Sequence, residues 1–85
     1  MNHPSAYPVE RLITHIASYL RINPYAADTI AGIQKWWLSG VVYGDDIRAI
    51  ERAIQVMLNR GMLECRTLPD GTRVYSRPFP TVPSR

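Results

Sequence analysis

The chain has 85 residues, a formal net charge of +3 and an apolar fraction of 46%. That length supports one hydrophobic core, hence a single domain over 1–85, and the apolar fraction is too high for a disordered chain. A single cysteine, Cys65, excludes an intramolecular disulfide, and no run approaches the ~18 consecutive apolar residues of a membrane span.

Met1-Asn2-His3-Pro4-Ser5 has neither the basic region nor the apolar run of a secretion signal. With stability left to packing alone, the expected setting is a reducing, cytoplasmic one. The charge is unevenly placed. Up to residue 59, Arg11, Arg21, Lys35, Arg48 and Arg52 are balanced by Glu10, Asp28, Asp45, Asp46 and Glu51. Beyond it, Arg60, Arg66, Arg73, Arg77 and Arg85 face only Glu64 and Asp70, so the excess lies in the last third. Arginine is the dominant cation, which favours planar, bidentate contacts to carboxylate or phosphate.

The first periodic segment follows Pro8. Val9, Leu12, Ile13, Ile16 and Leu20 recur at helical spacing, with Arg11, Thr14, Ser18 and Arg21 on the other side. Asn23-Pro24 ends this helix, because the residue before a proline avoids the α region. A second helix is expected from Asp28, as N-cap, to Leu38, with Ser39-Gly40 as its stop. Ile30, Ile33 and Trp37 share its inner face, Gly32 falls on the far side, and Trp36 falls on the flank, so at least one tryptophan should stay partly exposed.

Val41-Val42-Tyr43 is β-prone and reads as a short edge strand. Gly44-Asp45-Asp46 then opens a third helix, whose positive end suits two carboxylates. Its buried stripe is expected to be Ile47, Ile50, Ile54, Met57 and Leu58, with Gly61 closing it at C′. Two strands follow, Met62 to Leu68 and Thr72 to Arg77, joined by Pro69-Asp70-Gly71. Proline presets the first corner and glycine takes the left-handed position, giving a type I turn with a glycine bulge that pairs Leu68 with Thr72. In that register Cys65 faces Tyr75, and the Leu63–Cys65–Tyr75 face is expected to pack on the helices. The proline-rich tail from 78 to 85 reads as an extended arm.

Three helices, a glycine, an apolar strand, a polar turn and a second strand follow the order of a winged helix-turn-helix domain. The segment from Asp46 to Arg77 resembles that family's recognition helix and wing, and the run from Ala53 to Arg66, in which a helix ends in Arg60-Gly61 and passes into a strand, carries the local likeness. The resemblance implies an α+β fold: a small winged-helix core over 9–77, with three helices and a two-stranded hairpin wing, flanked by arms at 1–8 and 78–85. The link from Ser39 to Asp45 departs from the family's tight turn of ~3–4 residues.

Arg48, Arg52, Gln55 and Asn59 fall on one stripe of the third helix, and all four can hydrogen-bond base edges or phosphates. In a winged helix that stripe implies a transcription-regulator-like role, with the third helix reading duplex DNA and Arg66, Arg73 and Arg77 on its backbone. Trp36, Trp37 and Tyr43 form an aromatic group that reads either as core or as the anchor of a protein interface, including a homodimer. The partner is therefore open between DNA and protein.

Neither a catalytic centre nor a cofactor is expected, and no small-molecule site is visible in the sequence. His3, His15 and Cys65 are too scattered to hold a metal, and Cys65 in a strand reads as a small buried residue. The glycines are not grouped as a phosphate loop requires.

Overall fold

The computed structural model of the chain describes residues 6–78, with side chains from Pro8 onward. The first residues with His3, and the tail from 79 with Arg85, lie outside the described residues. Helix α1 (Ala6–Ile22) begins ahead of Val9 and carries Pro8 in its first turn. Proline is tolerated there because the first N–H groups of a helix have no intrahelical partner. Val9, Leu12, Ile13, Ile16 and Leu20 are all buried, as their spacing predicts. The helix stops at Asn23, whose backbone N–H and side-chain amide both donate to the Tyr19 carbonyl at 2.8 and 3.0 Å.

The next element is a short strand, β1 (Ala27–Asp28), where the sequence suggested the start of a helix. Thr29, not Asp28, is the N-cap of α2 (Ile30–Gly32), and its hydroxyl accepts from the Gly32 N–H at 3.1 Å. Asp28 instead sits in the ladder and turns its carboxylate back onto the Thr29 N–H at 2.8 Å. That carboxylate occupies the space a Cβ at position 32 would need, so Gly32 is half-buried against Asp28 and is not an idle helix-weakening residue on the far side.

Without a break, α2 continues as a π-helical turn (Ile33–Trp37), closed by the Leu38 N–H donating to the Ile33 carbonyl at 3.0 Å. Bonding across five residues brings Ile33 and Leu38 towards one face, and both are fully buried. Val41–Tyr43 does not form the expected edge strand. The link is a run of turns, in which Val41, Gly44 and Asp46 donate in succession to the carbonyls of Leu38, Val41 and Tyr43. Local turn bonds satisfy this backbone, so the β-prone side chains are overridden.

Helix α3 (Ile47–Asn59) is capped by Asp46, whose carboxylate accepts from the Ala49 N–H at 3.2 Å. It ends in a Schellman motif: Met62 N–H donates to Met57 C=O, Gly61 N–H to Leu58 C=O, and Gly61 has φ +74°. Ile50, Ala53, Ile54 and Met57 are the buried set. Ile47, at 42% exposure, leaves the expected stripe, and Leu58 is only half-buried, because both lie on one flank of the face that meets α1. Ala53 joins the stripe instead, its small side chain suited to a close helix approach.

Strands β2 (Glu64–Thr67) and β3 (Arg73–Ser76) pair antiparallel with Cys65 opposite Tyr75, the register expected from the turn. Leu68 donates to Thr72 at 2.8 Å, and Gly71 takes φ +90°. Asp70 accepts from the Thr72 N–H, and the backbone and side-chain bonds to Thr72 hold its pKa below the ordinary 3.8. The sheet has three strands in the order β1-β3-β2, since Ala27 and Asp28 pair with Ser76 and Tyr75. Tyr75, on the central strand, is buried with Leu63, whereas Cys65, on the edge strand, is exposed and not the buried residue expected. A central strand can reach the helices while an edge strand runs out past them. Three helices, a strand between the first two, and a hairpin whose last strand pairs with it define a small α+β domain of winged-helix topology.

Gly32→Ala should displace the Asp28 carboxylate from the Thr29 N–H, a loss of about 1 kcal/mol that alanine's better helix propensity, also about 1 kcal/mol, largely offsets. Urea denaturation of Gly32→Ala, Asp28→Ala and the double variant checks this. The double variant should lose less than the two single losses together, because removing the carboxylate makes room for the methyl group.

Candidate nucleic-acid interface

Helix α3 has two opposed sides. One carries Ile50, Ala53, Ile54 and Met57 into the core. Half a turn round at ~100° per residue lie Arg48, Arg52, Gln55 and Asn59, all exposed. The sequence stripe is thus a continuous solvent-facing row in the structure. Neither Arg48 nor Arg52 is held in an ion pair among the described residues, so both guanidinium forks are available. Asp46 is partly engaged by its capping bond, while Asp45 and Glu51 are exposed carboxylates near the row.

The hairpin divides its arginines. In the β2–β3 register Arg66 lies opposite Val74 and Arg73 opposite Thr67, so Arg66 and Arg73 point to different faces of the ribbon. Both are exposed. Arg77 is not brought to the α3 row: it lines a groove with Ala17, Leu20, Arg21, Met57 and Met62. Because Met57 points away from the row, that groove lies on the other side of α3. Arg60 is committed elsewhere, with Nη2 donating to Glu10 Oε2 at 3.2 Å and linking the end of α3 to the start of α1. Sequence spacing could not separate these arginines, because α1 meets α3 only through tertiary packing.

The aromatic group is also divided. Trp37 is 6% exposed and stacks on Tyr19, with centroids 5.0 Å apart and planes 10° apart. Tyr43 is half-buried against the core. Trp36 alone stands out, at 61% exposure, with Lys35 Nζ 5.2 Å from its ring centroid. Of the three residues expected at a protein interface, only Trp36 presents most of its surface.

Among the described residues no group of three or more His, Cys, Asp or Glu side chains converges as a metal site, and no helix is long and apolar enough to cross a membrane. Comparison with protein-family models, with curated proteins and with solved structures finds no match.

The two tryptophans should respond differently to truncation. Trp37→Ala should cost about 3–5 kcal/mol, as for a buried aromatic, and Trp36→Ala no more than about 0.5 kcal/mol. Chemical denaturation followed by circular dichroism measures both, and comparable losses would contradict the assignment of core and surface rings.

Proposed function

We propose that the protein binds duplex DNA, with α3 in the major groove and the hairpin arginines on the phosphates, in the manner of a small transcription regulator. The supporting observation is the exposed row on α3. Arg48 and Arg52 bring unpaired guanidinium groups suited to guanine edges or phosphates, and Gln55 can make a bidentate bond to adenine. Helix-turn-helix proteins place this helix in the groove and read with its N-terminal residues, which here include Arg48. Arg66 and Arg73, on opposite faces of the ribbon, allow the wing to meet a phosphate whichever face turns to the duplex. The positive excess of the C-terminal third supplies long-range attraction.

A second reading, a protein-interaction module or homodimeric adaptor, is favoured by Trp36, an exposed indole of the kind that anchors interfaces. It predicts self-association or partner capture that Trp36→Ala abolishes while leaving the fold intact.

Fluorescence anisotropy of labelled duplex DNA decides between them. On the DNA reading, binding weakens as salt rises, with a log–log slope of about −3 to −4 for three or four neutralised phosphates. Arg48→Gln with Arg52→Gln should reduce affinity at low salt at least tenfold, for two lost contacts of about 1 kcal/mol or more each. Undiminished binding by that double variant removes α3 from the interface, and no binding at low salt removes the DNA reading in favour of Trp36.

A further inference from the structure

The groove between α1, α3 and the end of the hairpin has a composition that the DNA reading leaves unused. It has a volume of about 390 Å³, within the range of small-molecule sites. Its apolar lining is Ala17 and Leu20 from α1, Met57 from α3 and Met62 just beyond it. Arg21, in the last turn of α1, and Arg77, one residue past β3, complete it, and the described lining contains no carboxylate. Both arginines are exposed, and neither is held in an ion pair among the described residues.

We propose that this groove is a binding site for a small amphipathic carboxylate: an aliphatic chain lying on Ala17, Met62 and the rim of Leu20, with its carboxylate held by Arg21 and Arg77. Guanidinium forks match a carboxylate in bidentate geometry, and charge-assisted bonds of this kind are the strong ones. The half-buried Met62 side chain is unbranched and adaptable, so it can close on a flexible hydrocarbon. An uncharged chain would gain only the apolar contact, and an alkylammonium would meet two like charges. The site joins three elements far apart in sequence, so an occupant would tie the hairpin base to both long helices. It lies on the side of α3 away from Arg48 and Arg52, and the proposal does not rest on DNA binding.

The test is an NMR titration of the ¹⁵N-labelled full chain with octanoate below its self-association concentration, beside octanol, octylammonium and inorganic phosphate. Octanoate should give saturable shifts at Ala17, Leu20 and Met62, and octylammonium none. Arg21→Gln with Arg77→Gln, its fold checked by circular dichroism, should bind octanoate at least about tenfold more weakly, as expected for loss of hydrogen bonds to a charged group. Ala17→Met, which fills the groove without changing its charge, should weaken binding as well. Equal binding of octanol, of octylammonium or of phosphate alone would overturn the proposal. So would unchanged affinity in the double arginine variant, or shifts at the same residues on dilution of the free protein, which would assign the groove to a second copy.

Discussion

The packing of α1 against α3 is the contact on which the rest of the molecule depends. Leu12 and Ile16 from one helix and Ile50, Ala53 and Met57 from the other are wholly removed from water, and no disulfide supplements them. For a chain of this length such burial is the main source of stability. Once the Ile50–Met57 side of α3 is fixed inward, the helical period leaves Arg48, Arg52, Gln55 and Asn59 outward. The Arg60–Glu10 pair spans the same two helices at the surface, where its contribution is small beside that of the apolar contact.

The remaining elements are fitted to this pair. The π turn brings Ile33 and Leu38 onto the core together, Trp37 stacks on Tyr19 of α1, and Trp36 is turned outward. The short strand β1 draws the last strand of the hairpin into a three-stranded sheet, so that Tyr75 reaches the core from a central position. Asp28 belongs to both arrangements. Its backbone is in the ladder, and its carboxylate lies at the start of the second helix, against the one residue there without a side chain.

Most of this architecture was legible in the sequence because the signals were local. The apolar period marked α1 and most of α3, and Pro69-Asp70-Gly71 fixed both the hairpin and its register. The exposed α3 row was visible for the same reason. The failures share a different cause. A two-residue strand has no period, so β1 was invisible, and Val41–Tyr43 drew the strand assignment through side-chain propensity alone. Alternation placed Cys65 on the face of Tyr75 but could not say that β2 would be an outer strand. Arg21 and Arg77 meet one groove only because the helices pack, and no spacing rule connects them.

The fold therefore gives α3 two surfaces with different chemistry: a polar, hydrogen-bonding row open to solvent, and an apolar side that builds the core and floors the Arg21–Arg77 groove. The first surface is the one proposed to meet nucleic acid. The most direct measurement is NMR mapping of the amides and arginine side chains that shift when the labelled protein is titrated with a short duplex at low salt. If α3 reads the duplex, Arg48, Arg52, Gln55 and Asn59 and the hairpin around Arg66 and Arg73 are perturbed, with Leu20 and Met62 unmoved. Perturbations centred on Trp36, or none at all, would contradict that reading.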